Sequence, residues 1–152
     1  MNQDIANLEP RAMWQNFAAL NEVPRPSKKE QKVIEFMKAF GANLGLETHV
    51  DPVGNVIIRK PASPGMENRV PLVIQGHLDM VCQKNAETDF DFENQGIDMY
   101  VDGDWVKARG TTLGADNGIG VASAMAILAS DDIAHPAVEA LFTIDEETGM
   151  TG

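Results

Sequence analysis

Apolar residues recur at helical spacing in two stretches near the start of the chain. In "EPRAMWQNFAAL" they are Met13, Trp14, Phe17, Ala18 and Leu20, a spacing that predicts an amphipathic helix. The stretch "SKKE" has the form of a capping box, with Ser27 as the cap and Glu30 three residues later. It predicts a second amphipathic helix that runs to about Gly45.

Strand patterns alternate with these helices. "LETHVDPVGNVIIRK" predicts two short strands around a turn, and "MYVDGDWVKA" predicts a hairpin with Asp102 and Gly103 at its tip. "VPLVIQ" and "AVEALFTI" are continuously apolar, which is typical of strands buried on both faces. Between them, "GADNGIGVASAMAILAS" predicts a third helix, capped by Asp116 or Asn117, whose small residues let it lie close on a sheet. The predicted fold class is α/β, with a mostly parallel or mixed central sheet flanked by helices.

Composition narrows the possible partners. The chain has 152 residues, of which 43% are hydrophobic, as is usual for a soluble globular domain. A net charge of −11 argues against nucleic-acid or membrane partners, because both favour clustered Lys and Arg. With one cysteine, Cys82, the chain has no internal disulfide, and we expect a reducing, cytoplasmic location.

Both apolar strands run directly into polar residues. "VPLVIQ" is followed by Gly76, His77, Leu78 and Asp79, and "AVEALFTI" by Asp145, Glu146 and Glu147. Ligands of open α/β sheets bind beyond the carboxyl ends of the strands, and helices often begin on that side. We therefore expect one histidine and several carboxylates, including Asp116, at one edge of the sheet.

Such a cluster has the ligand chemistry of a metal centre. Neighbouring carboxylates repel unless one is protonated or a cation lies between them. Histidine with Asp and Glu suits zinc, and also manganese or cobalt. Because His77 and Asp79 project to one side of an extended segment, Asp79 can accept the Nδ1–H of His77 and leave Nε2 for a metal.

Each motif alone also fits ordinary structure. His77 could be a core histidine, Asp116 a helix cap, and the two glutamates part of a solvated acidic loop. Glu146 and Glu147 would diverge in an extended segment, so that one could bind metal and the other face water. Spacing alone does not decide which of the two binds metal.

Three ordered motifs, "GHLDMV", "TTLGADNGIGVA" and "DEETG", resemble those of the two-metal peptidases that include carboxypeptidase G and the bacterial dipeptidases. The longer strings "QGHLDMVCQKN" and "GTTLGADNGIG" are more similar to the aminoacyl-histidine (Xaa-His) dipeptidases. The resemblance covers nearly the whole chain, including "VPRPS" and "DPVGNVIIRK". It implies a zinc-peptidase-like catalytic domain and metal-dependent hydrolysis of small peptides, with Xaa-His dipeptides as the expected substrates.

The resemblance also implies a role for five residues. His77 is expected to bind one of two zinc ions and Asp79 to orient it. Asp116 is expected to bridge both ions, and Glu147 to bind the other. Glu146 is expected to be the general base that takes a proton from a water bridging the ions.

The family has parts that the 152 residues do not contain. These are two further ligands, an Asp some tens of residues beyond the glutamate pair and a His near the far C-terminus, and an inserted lid or dimerisation domain. We therefore expect residues 1–152 to be the N-terminal portion of the catalytic domain, binding metal weakly and inactive alone, and the full-length protein to be a homodimer. Alternatives are a tripeptidase, a deacylase or another amidohydrolase of the same family, and a non-catalytic metal-binding module.

Overall fold

A four-stranded mixed sheet organises the structure, a computed structural model that describes residues 2–152. The helices are α1 (Gln3–Ala6), α2 (Arg11–Asn21), α3 (Gln31–Asn43), α4 (Ala115–Ala129) and α5 (Glu146–Gly149). The strands are β1 (Glu47–Val50), β2 (Val56–Lys60), β3 (Leu72–His77), β4 (Met99–Asp102), β5 (Trp105–Ala108) and β6 (Val138–Thr143). The α/β class, the first two predicted helices, the β1–β2 pair and the β4–β5 hairpin are confirmed.

The sheet has the order β1-β2-β6-β3, and β4 and β5 form a separate pair. Only β3 and β6 are parallel, whereas β6 pairs with β2 and β2 with β1 in antiparallel register. The sheet is therefore mixed, and the mostly parallel alternative is wrong. Because β3 and β6 run side by side, His77 at the end of β3 lies opposite Thr143 at the end of β6.

The main core lies between this sheet and helices α3 and α4. Fully buried side chains of β2 and β6, such as Ile58 and Phe142, pack there with Met37 of α3 and Val121 of α4. A second cluster joins α1, α2, α4 and the hairpin; its buried members are Ile5, Phe17, Ala18, Met80, Ile97, Met99 and Ala122. Among residues 2–152, no helix combines the length and apolar character that a membrane crossing requires.

The prediction that two strands are buried on both faces is wrong. Residues of β6 alternate between buried and half-buried, and Leu72 and Val73 of β3 are 49% and 59% exposed. The core covers one face of the sheet, and β3 is the last strand in the order. An apolar run identifies a strand, but it does not show how many of its faces are covered.

The predicted helix caps are also wrong. Helix α3 begins at Gln31, and Glu30, which precedes it, makes no side-chain cap hydrogen bond. Ser27 instead donates its hydroxyl to Asp79 Oδ2 over 2.7 Å. Before α4 stands Gly114, with φ +71°, and Asp116 has a non-helical backbone in the first turn. The side chains of Ser27, Glu30 and Asp116 contact residues far away in the chain and do not cap the helices.

Candidate metal centre

The structure brings the five predicted site residues together at one edge of the sheet. His77 is the last residue of β3, and Asp79 follows two residues later. Glu146 and Glu147 open the short helix α5, which comes directly after β6, and Asp116 lies in the first turn of α4. The parallel pairing of β3 with β6 therefore delivers the histidine and the glutamates to the same place.

One ring nitrogen of His77 faces Asp79, and the other faces the carboxylates of Asp116 and Glu146. Its Nδ1 lies 3.1 Å from the backbone oxygen of Asp79 and 3.3 Å from Oδ1 of the same residue. Its Nε2 lies 3.1 Å from Asp116 Oδ1 and 3.9 Å from Glu146 Oε2. If Nδ1–H is donated to Asp79, the lone pair of Nε2 faces the carboxylates, as a metal ligand requires.

Asp79 makes contacts that the sequence did not predict. Its side chain is fully buried. Oδ1 accepts a hydrogen bond from Glu146 N at 3.1 Å, and Oδ2 accepts one from Glu147 N at 3.2 Å and one from Ser27 Oγ at 2.7 Å. One carboxylate therefore fixes the backbone of both glutamates as well as facing His77.

The glutamate pair lies in a helical turn, whereas the sequence pattern suggested an extended segment. Asp145 adopts a left-handed conformation with φ +51°, and α5 forms a single helical turn after it. The Asp145 carboxylate accepts hydrogen bonds from the hydroxyls of Thr148 and Thr151, which lower its pKa. Its backbone N–H donates to Glu30 Oε1 at 3.0 Å. The turn at Asp145, rather than alternation along a strand, sets the directions of Glu146 and Glu147.

Three of these residues have the donor set of a cation site. His77, Asp116 and Glu147 each offer a ligand atom, and the three atoms lie within 4.8 Å of one another. The pKa of Glu147 is raised, chiefly by loss of hydration and also by the charges of Asp116, Glu146 and Asp79, whereas His77 lowers it. A bound cation would offset this repulsion, and one imidazole with two carboxylates suits zinc, manganese or cobalt.

A second group of close carboxylates lies behind the first. Glu30, Asp79 and Asp145 are all buried and also within 4.8 Å of one another. Their oxygens accept hydrogen bonds from backbone N–H groups and hydroxyls of the chain itself. Burial raises the pKa of Glu30, and backbone hydrogen bonds oppose that rise. This group therefore serves as an internal support for the first.

A cavity of about 410 Å³ opens beside the three candidate ligands. Its wall combines Asp116 and Glu147 with Val81 and with residues 112–115. The cavity is large enough for a small-molecule group next to the ligand atoms. Val81 and residues 112–115 belong to the motifs "GHLDMV" and "TTLGADNGIGVA", but their sequence pattern alone did not predict that they line a cavity.

Comparison with known proteins gives relatives that are much longer than this chain. The cytosol non-specific dipeptidase of Escherichia coli is 50% identical over 149 residues, which are 98% of this chain and 31% of that protein. The crystal structure of aminoacylhistidine dipeptidase from Vibrio alginolyticus superposes with a TM-score of 0.96 at 51% identity, covering 97% of this chain and 30% of that one. A tripeptidase from Staphylococcus aureus, with a TM-score of 0.76 and 19% identity, covers 95% of this chain and 39% of its own and shares the fold. No family model matches.

The similarity to dipeptidases that the sequence motifs predicted is therefore confirmed. The chain spans about a third of the length of these relatives. The likeness at about 50% identity covers nearly all of this chain, so the α/β arrangement that positions the site is shared with proteins named as dipeptidases.

Proposed function

We propose that the protein containing this chain is a metal-dependent dipeptidase, with Xaa-His dipeptides as the expected substrates. One observation carries the proposal: the meeting of His77, Asp116 and Glu147 at the end of the parallel strand pair, with Glu146 beside them. The named dipeptidases among its relatives support the same reaction class.

The proposal assigns the ligands as follows. His77 would hold one divalent ion through Nε2, Glu147 would hold a second ion, and Asp116 would be a ligand of both. Bound ions, zinc with manganese or cobalt as alternatives, would supply positive charge that polarises a peptide carbonyl and acidifies water. Asp79 holds the Nδ1 side of His77 and so keeps Nε2 directed at the site.

Glu146 is the proposed general base. Its side chain is 42% exposed and its Oε2 lies 3.9 Å from His77 Nε2, so it borders the ligand group and faces solvent. It takes a proton from the attacking water as the water oxygen forms a bond to the carbonyl carbon. When the C–N bond breaks, Glu146 returns that proton to the leaving amine.

Relatives of this chain are named for different substrate classes. The E. coli relative is named a non-specific dipeptidase and the Vibrio protein an aminoacylhistidine dipeptidase. The proposed partner is a small peptide, and neither nucleic acid nor a membrane is a proposed partner. The proposed location is the cytoplasm, in agreement with the word cytosol in the name of the E. coli relative. A panel of dipeptides, tripeptides and N-acyl amino acids separates a dipeptidase from a tripeptidase, a deacylase or a non-catalytic module.

The proposal includes the place of this chain within a longer enzyme. Residues 1–152 would form the N-terminal portion of the catalytic domain of a homodimer. With His77, Asp116 and Glu147 as ligands and Asp116 shared, each of two ions would have two protein ligands, whereas catalytic zinc usually has three. The 152 residues alone are therefore expected to bind metal weakly and to lack peptidase activity.

Metal content and activity of the complete gene product test the proposal. His77→Ala and Asp116→Ala are expected to lose bound zinc, measured by mass spectrometry of the purified protein. Glu146→Gln is expected to keep its metal and lose hydrolysis. The exposed residues His49 and Asp104 provide matched controls as His49→Ala and Asp104→Ala. Unchanged metal content in His77→Ala and Asp116→Ala would refute the ligand assignment.

A further inference from the structure

Arg25 is a buried cation beneath the candidate metal centre. Only 2% of its surface is exposed, and it lies in the segment between α2 and α3. We propose that Arg25 is a positioning residue that holds the two backbone segments carrying His77 and Asp116 in their mutual register. This inference rests on the proposed function, because it concerns the geometry of that metal centre.

The guanidinium of Arg25 bridges these two segments directly. Nη1 donates to Leu78 O at 3.1 Å and to Asp79 O at 3.4 Å, immediately after His77 in the chain. Nη2 donates to Gly114 O at 2.7 Å, two residues before Asp116. A single planar group thus joins the end of β3 to the entry of α4.

Further contacts fix the arginine itself. Asn21 Oδ1, at the end of α2, accepts a hydrogen bond from Nη2 at 2.8 Å. The backbone oxygen of Arg25 accepts one from Met80 N at 3.1 Å, and the neighbouring Pro26 forms a parallel bridge with Met80. The arginine is therefore anchored to the segment after β3 by both its main chain and its side chain.

Two glycines leave the space that the guanidinium occupies. A Cβ atom on Gly114 would lie 2.5 Å from Nη2 of Arg25, and a Cβ atom on Gly118 would lie 2.8 Å from it. Both distances are shorter than real Cβ contacts, so a side chain at either position would displace the guanidinium. The glycines at the start of α4 therefore leave room for the guanidinium of Arg25.

The chemistry of the contacts favours arginine over any other cation. Its acceptors are three backbone carbonyls and one amide oxygen, spread over two sides of a flat group. Lysine carries one compact ammonium on a flexible stem and cannot reproduce this fork. Burial lowers the pKa of Arg25 to about 10, so it stays protonated at neutral pH. Burying a cation is costly, and the contacts to both site segments account for its presence.

The test compares Arg25→Lys with Arg11→Lys in the complete gene product. Arg11 has a side chain that is 58% exposed and serves as the matched control. We expect Arg25→Lys to bind Co²⁺ ~10–100-fold more weakly and to change the visible absorption of the bound ion. We also expect kcat for a dipeptide to fall more than KM rises. Arg11→Lys is expected to match wild type in every measurement.

The Co²⁺ spectrum separates positioning from simple stabilisation. A merely structural Arg25 would lower the unfolding temperature of the metal-free protein and leave the Co²⁺ affinity and spectrum unchanged. That result would overturn the inference. If Arg25→Lys does not fold, Asn21→Ala removes one acceptor of Arg25, together with the Asn21 amide donor to Leu113 O, and keeps the charge. Weaker Co²⁺ binding is again expected. Wild-type affinity in Asn21→Ala would then overturn it. A wild-type protein that binds no Co²⁺ would refute the metal centre itself, and the inference with it.

Discussion

Asp79 is the residue on which the contacts of the candidate centre converge. One oxygen serves the backbone of Glu146, and the other serves Glu147 and Ser27. The same residue faces Nδ1 of His77 with both its backbone oxygen and its carboxylate. A carboxylate is well suited to this place, because it has acceptors on both oxygens and no donor.

Asp79→Asn is expected to disturb the centre without removing volume. In either orientation the new NH₂ group meets a backbone N–H of Glu146 or Glu147, so one buried donor is left without an acceptor. We expect the metal-free protein to lose ~1–3 kcal/mol of unfolding free energy. We also expect metal affinity to fall by ~10–100-fold. Urea denaturation and Co²⁺ titration measure the two effects, with the exposed Asp89→Asn as the control. Wild-type values for Asp79→Asn would contradict this account.

At the scale of helices and strands, local patterns predicted the elements but not the contacts of their polar residues. The repeat of apolar residues located α2 and α3, because periodicity reflects which face is buried. A stretch rich in small residues located α4, and apolar runs and turn residues located the strands. The capping box at Ser27 and Glu30 was misleading, because the two residues contact partners 52 and 115 positions away. Those partners, Asp79 and Asp145, belong with Glu30 to the buried carboxylate group behind the candidate ligands. A local motif cannot reveal a competing partner that only the fold brings close.

Packing of α4 on β3 depends on a glycine in the strand. A Cβ atom on Gly76 would lie 2.5 Å from Asn117 Oδ1 and 3.3 Å from Val121 Cγ2. We expect Gly76→Ala to lower the unfolding free energy by ~1–3 kcal/mol, because the side chains of Asn117 and Val121 must move to admit the methyl group. Gly149→Ala, where an added Cβ meets no atom within 4 Å, is the matched control. Equal denaturation midpoints for the two variants would show that the added methyl group is accommodated without loss of unfolding free energy.

The β1–β2 turn is held by the carboxylate of Asp51. Oδ1 accepts hydrogen bonds from the backbone N–H groups of Val53, Gly54 and Asn55, and Oδ2 accepts one from the Asn55 side chain. Partial loss of hydration raises the pKa of Asp51, and these hydrogen bonds together outweigh it, so that the pKa is lowered. A group with a lowered folded pKa contributes stability above its unfolded pKa of about 3.9.

We therefore expect Asp51→Asn to be less stable than wild type by ~1 kcal/mol at pH 7. The difference should disappear as the pH falls from about 4 through the folded pKa, because Asp51 then becomes protonated in wild type as well. Denaturation curves at a series of pH values measure this, with Asp104→Asn as the exposed control. A difference that persists unchanged in acid would mean that the carboxylate charge is not the source of the stability.

For the molecule as a whole, the sequence predicted where the site lies better than how it is built. Two strands ending in polar residues located the edge, because the parallel pair places both ends together. Local patterns did not predict three features: the one-turn helix at Glu146, the sheet that the core covers on one face, and the buried Arg25. These features depend on contacts between residues far apart in the chain. The dipeptidases to which the chain is similar are about three times as long as the chain. Substrate preference therefore has to be measured on the complete protein.

Metal binding should appear as stability of the whole protein. A ligand that binds only the folded state stabilises it by ~2.7 kcal/mol at 100 times its dissociation constant. We expect the unfolding temperature of the complete gene product to rise with added zinc and to return to its starting value with a chelator. Residues 1–152 alone should show a smaller rise, because the proposed ligand set would give each ion only two protein ligands.

Charge screening has to be separated from specific binding, because the chain carries a net charge of −11 and any cation reduces its self-repulsion. Sodium chloride at matched ionic strength measures the screening contribution, and His77→Ala measures what remains without the proposed imidazole ligand. We expect the zinc-dependent rise to exceed the sodium chloride effect in wild type and to equal it in His77→Ala. An identical response to zinc in both proteins would place the stabilising ion elsewhere, because His77 is the one imidazole among the three close candidate ligands.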